Sequence, residues 1–141
     1  MPRSLVRQRG AETVEFAITL PVILILFFAF VEFGIAFCDQ AVIANASRAA
    51  AREAIKGANV PDKTVYDAAD AVLASLSNWS GGGTYACDTA SCPIVPADRS
   101  STAPGQEVRV TITFPFQDSL LSNFVTLPNL SASTVMRMLP D

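Results

Sequence analysis

The sequence predicts an α+β protein in which a long N-terminal helix, membrane-spanning in its first half, packs on a small antiparallel β-sheet. Three segments predict this fold. Residues 16–31 form an uncharged apolar run, residues 41–56 are alanine-rich without proline or glycine, and residues 107–114 alternate apolar and polar side chains. These patterns are typical of a membrane helix, a helix of high intrinsic propensity and a half-buried strand, respectively.

The apolar run, FAITLPVILILFFAFV, is the predicted membrane span. Its sixteen residues at about 1.5 Å each cover about 24 Å, less than a hydrocarbon core of about 30 Å. A full crossing therefore extends to roughly residue 35, which places Glu15 and Glu32 near the two membrane boundaries. A charge costs far less there than at the bilayer centre. Pro21 removes a backbone donor inside the span, which transmembrane helices tolerate.

The first ten residues, MPRSLVRQRG, form a compact basic leader. They carry three arginines and no acid, in a chain with a formal net charge of −3. Without the leader, seven basic and thirteen acidic side chains would remain, a charge of −6. Arginines before the span and acidic or neutral residues after it predict a cytoplasmic N-terminus and an extracytoplasmic C-terminal part. A conventional signal peptide, with a shorter apolar region and a small-residue cleavage site, fits less well.

These features divide the chain into three parts. Residues 1–10 are the basic leader, residues 11–37 the membrane-spanning helix, and residues 38–141 an extracytoplasmic α+β domain. The predicted topology is therefore a single membrane crossing with the N-terminus on the cytoplasmic side.

The alanine-rich stretch continues the helix beyond the membrane. Gly57 is its predicted terminator. Polar side chains recur every three or four residues along one side, and small or apolar side chains occupy the opposite side. The polar residues are Asn45, Arg48, Arg52 and Lys56, and the apolar ones are Val42, Ile43, Ala46 and Ala50. We interpret the arginines as a solvated helix face rather than a ligand site.

A second helix is predicted over residues 61–78. Pro61 suits its first turn, and Asp62 complements the helix dipole. An apolar stripe at helical spacing faces the core; it consists of Val65, Ala69, Val72, Leu73 and Leu76. Asp67 and Asp70 are predicted to lie on the opposite, solvent side.

The sheet is centred on residues 107–114, EVRVTITF. Val108, Val110, Ile112 and Phe114 point to one face of this predicted strand. Residues 131–138 are its predicted partner, and short strands are predicted near Tyr85 and Ile94. The apolar connection over residues 115–128 is predicted to cover the core, with contact to the membrane or to a neighbouring subunit as the alternative.

Composition argues against several functions. The acidic net charge disfavours nucleic acid as a partner. The chain has no histidine, the commonest metal ligand and the side chain most used for acid–base catalysis near neutral pH. The scattered acids lack a nucleophile, a base or a phosphate-binding loop. We therefore predict no enzymatic activity, no cofactor and no metal site.

Three cysteines remain. Cys87 and Cys92, in CDTASC, are predicted to form a disulfide, which contributes about 2 kcal/mol by chain entropy in an oxidising compartment. A zinc site would require further ligands of the right kind. Cys38 is predicted to be a buried small hydrophobe, with an intermolecular bridge as the alternative.

The membrane entrance resembles a known family. Residues 9–34, RGAETVEFAITLPVILILFFAFVEFG, resemble the start of the TadE-like family, pseudopilins of the tight-adherence (Flp) branch of type IV pilus machinery. In that family a basic leader ends in glycine, and a Glu-Phe or Glu-Tyr pair follows. The matching positions are Gly10, Glu15 and Phe16. Further similarity lies in TLPV, in FVEFG and in NASRAAAREAI, so that the resemblance is strongest over residues 8–55 and weaker in LPNLSASTVMRML.

The resemblance implies a pilin-like fold and a processing step. A prepilin peptidase would cut between Gly10 and Ala11 on the cytoplasmic side, and Glu15 and Phe16 would serve recognition and assembly. The cut would expose an α-amino cation one helical turn before the Glu15 carboxylate. Pairing with that amine, in the same or a neighbouring subunit, lowers the cost of both charges in a low-dielectric surrounding.

The implied function is structural: a minor pseudopilin for assembly of a tight-adherence pilus, and thus for surface adhesion and biofilm formation. The implied partners are the prepilin peptidase, the inner-membrane pilus assembly platform and other pseudopilins. The alternative is an uncleaved, signal-anchored extracytoplasmic module that binds or senses a ligand. That alternative predicts an intact leader and a defined pocket.

Overall fold

The fold combines two helices with a three-stranded sheet. A computed structural model describes residues 5–57, 60–79, 85–97, 105–116 and 128–138. The helices are α1 (Leu5–Ala54) and α2 (Asp62–Trp79), and the strands are β1 (Ile94–Val95), β2 (Glu107–Phe114) and β3 (Leu130–Arg137). The strand order is β1-β2-β3, and both pairings are antiparallel. The predicted α+β class, with its long N-terminal helix and small antiparallel sheet, is confirmed.

The chain divides into two compact units, Met1–Ile35 and Ala36–Asp141. The first consists of the N-terminal segment and the first part of α1. The second contains the remainder of α1, α2 and the sheet. The boundaries predicted for the leader and for the membrane span stay predictions.

Helix α1 remains helical through Pro21 and ends at Ala54. Its last turn is followed by a bond from the Ile55 N–H to the Ala51 carbonyl (3.2 Å). The predicted end at Lys56 is two residues too late. Gly57 does not adopt the left-handed conformation of a glycine terminator, and among the described residues a positive φ occurs only at Gly105 (φ 87°).

The core lies in the second unit, where the apolar faces of both helices and one face of the sheet meet. The α1 residues in it are mostly alanines, whose short side chains leave room for close packing. From the helices, the buried residues are Ile43, Ala46, Ala50, Ala51, Ala54, Val65, Ala69, Leu73 and Leu76. The predicted inward faces of both helices are thus largely confirmed, while Val42 and Val72 are only partly buried.

The predicted central strand is confirmed residue for residue as β2. Its side chains at Val108, Val110, Ile112 and Phe114 are buried, with 0–7% exposure. β3 begins and ends one residue earlier than predicted. β1 forms at Ile94, but Tyr85 lies outside any strand and instead packs its ring edge-on against Phe114, with centroids 5.2 Å apart.

The loop after α2 contains the Cys87–Cys92 disulfide, with Cα atoms 5.3 Å apart. Asp70, predicted to face solvent, is partly buried and accepts a hydrogen bond from the Cys87 N–H (2.7 Å). Its position one turn beyond exposed Asp67 brings it under this loop. The predicted solvent exposure is therefore confirmed for Asp67 and wrong for Asp70.

The prediction for Cys38 is wrong, and the predictions for two further segments lie outside the described residues. Cys38 was expected to be buried, but its thiol is exposed, because it lies on a side of α1 that the core of the second unit does not cover. The predicted core cover over residues 115–128 falls mostly on residues 117–127, outside the described residues. Residues 80–83, SGGG, whose composition predicts a flexible break, lie outside them as well.

Candidate functional site

The first part of α1 exposes an unusually large amount of apolar surface. Its large apolar side chains between Val14 and Phe37 are 38–76% exposed. Surfaces of this kind mark contact with a membrane or with another protein. By length and composition, α1 is long and apolar enough to cross a membrane. None of its most apolar stretch is buried. It is a candidate membrane anchor.

The predicted scissile pair lies near the start of this segment. Gly10 and Ala11 are both helical and exposed. A Cβ placed on Gly10 would meet no heavy atom within 4 Å, and the same holds for Gly34 further along the helix. Packing within the described chain therefore does not require glycine at position 10.

Glu15 and Phe16 follow one turn later. Both side chains are exposed, Phe16 by 64%. The Glu15 carbonyl accepts a hydrogen bond from the Thr19 hydroxyl (2.8 Å), within the helix. Because residues four apart are neighbours on one helix face, Glu15 lies on the same side of α1 as Ala11. The structure thus brings these two positions together on an open surface, and their processing and assembly roles stay predictions.

Two carboxylates on α1 are buried, which sequence reasoning missed. Glu32, expected at a membrane boundary, is 7% exposed, although its neighbour Phe33 is 66% exposed. Asp39, not singled out from the sequence, is 4% exposed. A buried carboxylate is costly unless it is paired or hydrogen-bonded. Acidic residues on an otherwise apolar helix are the sequence signal that points to such positions.

The disulfide loop has its own polar centre, Asp88. Its carboxylate accepts hydrogen bonds from the N–H groups of Ser91 (2.7 Å) and Ala90 (2.9 Å) and from the Ser91 hydroxyl (2.8 Å). These bonds, those from Ser91 foremost, lower the pKa of the Asp88 carboxyl. The arrangement stabilises a tight turn. Among the residues that the structure describes, no three His, Cys, Asp or Glu side chains are grouped to hold a metal ion.

The family comparison bears on the apolar segment and its continuation. A family model described as TadE-like protein matches residues 10–52. This segment is similar to the TadE-like family. The match begins at Gly10 and includes Glu15, Phe16 and the alanine-rich part of α1, so the resemblance inferred from the sequence is confirmed there. No curated protein and no solved structure matches the chain.

The TadE-like match covers the apolar segment and most of the alanine-rich continuation of α1. The matched residues end two positions before α1 does, so α2 and the sheet lie outside the match and are known here from the structure alone.

Proposed function

We propose that the protein is a minor pseudopilin, anchored by α1 in the bacterial inner membrane, that serves assembly of a tight-adherence pilus. The observation that carries the proposal is the TadE-like match over a helix whose apolar side chains are exposed. A water-soluble protein would bury such side chains, at roughly 1.5–3 kcal/mol for each large one. The membrane, and neighbouring subunits within it, provide that burial.

The proposed processing uses the leader. A prepilin peptidase removes residues 1–10 and leaves Ala11 as the new terminus. Its α-amino group then lies on the Glu15 side of the helix, because the two residues are four apart. The exposed position of Glu15 leaves its carboxylate accessible to the amine of the same chain or of a neighbouring subunit.

The proposed partners follow from these steps. They are the prepilin peptidase at the leader, the inner-membrane assembly platform at the cytoplasmic boundary, and other pseudopilins along α1. The role is structural and involves no catalysis. Net charge and the absence of histidine support this proposal, since neither favours a nucleic-acid or catalytic function.

The alternative, an anchored binding module, predicts a defined pocket. Within the described residues, a groove between α2 and the disulfide loop has a volume of about 180 Å³. Pockets for small molecules usually measure about 300–1,000 Å³. The residues that line the groove are Asp62, Tyr66, Thr89, Pro93, Ile94 and Ala97. Its size suits one side chain better than a separate ligand.

The proposal is tested by comparing Glu15→Gln with Glu12→Gln in the native host. Both glutamates are exposed on α1, so each change removes one charge near the same end of the helix. Only Glu15 is expected to pair with the new terminus. Glu15→Gln is expected to leave the protein in the membrane fraction while reducing pilus formation and surface attachment, and Glu12→Gln to leave both unchanged.

Membrane fractionation, pilus counts by electron microscopy and an attachment assay give the readouts. If the two variants assemble pili equally well, Glu15 has no special role. If deletion of the whole gene leaves pilus formation and attachment intact, the pseudopilin proposal is wrong.

A further inference from the structure

The outer edge of β3 carries backbone groups that point away from the sheet. The Thr111 N–H donates to the Pro93 carbonyl (3.1 Å), on the β1 side of β2. Ser133 is directly opposite Thr111 in the β2–β3 pairing, so its own N–H and carbonyl point away from β2. The same holds for every second residue of β3, namely Ser131, Val135 and Arg137. Among the described residues, no strand pairs with this edge.

The two edges of the sheet differ in how well they are protected from pairing with another strand. β1 has two residues, and Pro93 and Pro96 flank it, so that it offers little for another strand to bind. β3 has eight residues, without proline, and its only charge is the terminal Arg137. Near the start of this edge, the Gln40 side-chain amide donates to the Ser131 carbonyl (2.8 Å). Such long uncharged edges are the ones that accept another strand.

The core is also open along β3. On β2, Val108, Val110 and Ile112 are at most 1% exposed. Their neighbours on the same face of β3, Ala132 and Met136, are only partly buried. An additional strand with apolar side chains at alternate positions would cover them. The edge therefore offers both hydrogen bonds and apolar surface to a partner.

The direction of α1 limits the identity of that partner. Besides the Gln40–Ser131 bond, the hydroxyls of Ser47 and Thr134 lie 2.7 Å apart. From Gln40 to Ser47, α1 advances by about 10 Å, and from Ser131 to Thr134 the strand advances by about 10 Å. In the second unit, α1 therefore runs parallel to β3.

A second copy of β3 does not fit. Two identical strands that pair antiparallel at their edges are related by a two-fold axis perpendicular to the sheet. That axis reverses any helix lying along the sheet, so the two α1 helices would point in opposite directions. Copies anchored through α1 in one membrane do not meet this condition. This step rests on the proposed function.

We propose that the outer edge of β3 binds an extended strand of a different protein, which runs antiparallel to β3 and becomes the fourth strand of the sheet. Its N–H and carbonyl groups bond to Ser133, Val135 and Arg137. At alternate positions it carries apolar side chains toward the half-buried Ala132 and Met136, and polar ones toward solvent. It contains no proline at the bonding positions.

A peptide with the sequence of residues 107–114 has this pattern and serves as the probe. Two isomers are synthesised, each with three N-methyl groups that block one edge of the strand. Antiparallel addition with the apolar side chains facing inward uses the odd-numbered positions of the peptide. Methylation at the even positions 108, 110 and 112 therefore leaves the bonding edge open, and methylation at 109, 111 and 113 blocks it.

Binding of each labelled isomer to the full chain in detergent is measured by fluorescence anisotropy. The isomer with the open edge is expected to bind at least about tenfold more tightly, since the blocked one loses three donors. The two isomers have the same side chains and mass. Equal binding of both, or binding of neither, overturns the proposal.

A variant pair tests the edge from the protein side. Ser133→Pro removes an outward N–H without removing a bond to β2, and edge strands tolerate proline at such positions. Ser133→Ala keeps the N–H and is the control. Loss of the open-edge isomer's binding only in Ser133→Pro supports the proposal. If Ser133→Pro fails to fold, the binding of the two peptide isomers to the wild-type chain still tests the proposal.

The competing occupant is tested in the same samples. A dimer of the full chain that Ser133→Pro dissociates would assign the edge to a second copy and overturn the proposal. Failure of the proposed pilus function, seen as unchanged assembly in the gene deletion, leaves the isomer result intact, so the two failures are distinguishable.

Discussion

The two parts of α1 share one helical geometry but differ in the side chains they place on their surfaces. Between Phe16 and Val31 the helix carries large apolar side chains on all sides, and they are exposed. From Ile43 to Ala54 the inward face is made largely of alanine and is buried. The opposite face there is polar, with Arg48 and Arg52 exposed.

The difference shows how one helix is fitted to two surroundings. Apolar side chains around the whole circumference match a medium that is apolar in every direction. Small side chains on one face let a sheet and a second helix approach closely, and a polar stripe on the other face meets water. The change occurs near the boundary between the two compact units, at Ile35–Ala36.

The largest expected effect separates two isoleucines of the same helix. Ile43 is 1% exposed in the core, and Ile25 is 62% exposed in the apolar segment. Ile43→Ala is expected to lower the free energy of unfolding of the second unit by about 2–5 kcal/mol, because it leaves a cavity. Ile25→Ala should leave that free energy unchanged.

Denaturant unfolding in detergent, followed by near-ultraviolet circular dichroism, measures both variants. If the Ile25 variant is destabilised as much as the Ile43 variant, the two parts of α1 do not differ in packing. That result would mean that the apolar segment belongs to the same packed core.

A second test places a charge in each part of the helix. Leu24→Arg puts a cation near the centre of the predicted span, at a cost of about 3 kcal/mol or more. Ala41→Arg puts the same side chain at an exposed position of the second unit. The first variant is expected to lose membrane association in carbonate extraction, and the second to keep it. Retention of both in the membrane pellet would contradict anchoring by the apolar run.

The smallest expected effect is on the stability of the second unit at acidic pH. Hydrogen bonds from Ser91 and Ala90 lower the pKa of Asp88. A carboxyl whose pKa is lower in the folded state contributes stability above its unfolded pKa of about 3.9, and that contribution disappears as the pH falls through the folded pKa. Asp88→Asn should therefore reduce the stability difference between pH 7 and pH 3.

Thermal melts at the two pH values measure this effect, which is small because the carboxylate is at the surface. The stability difference between wild type and variant should be smaller at pH 3 than at pH 7. A variant that remains as sensitive to acid as the wild type would show that the Asp88 hydrogen bonds do not contribute.

Much of this fold was predictable because the relevant signals are local. The alternation of apolar and polar residues in β2 identifies the buried face of the strand. The helical spacing of apolar residues in α1 and α2 identifies the buried faces of the helices. Cys87 and Cys92 are close enough in sequence for the loop between them to bring the sulfurs together. The Gly10–Glu15 spacing after a basic leader, together with the matches in TLPV, FVEFG and NASRAAAREAI, suggested the TadE-like resemblance.

The features that escaped prediction depend on tertiary packing. The bond from the Cys87 N–H to Asp70 requires the loop to return to α2, which helical periodicity does not reveal. The burial of Asp39 and the exposure of Cys38, adjacent on one helix, differ because neighbouring residues point about 100° apart. Tyr85 contacts Phe114 without forming a strand, since a ring contact needs no backbone pairing.

The central claim is that the apolar part of α1 becomes a mature, processed anchor whose first residue is Ala11. Intact-mass spectrometry of the protein extracted from its native membrane tests it most directly. The expected mass is that of residues 11–141, apart from any modification of the new amino group and with the Cys87–Cys92 disulfide closed. A protein that retains residues 1–10 in the assembled, functional state would contradict the claim.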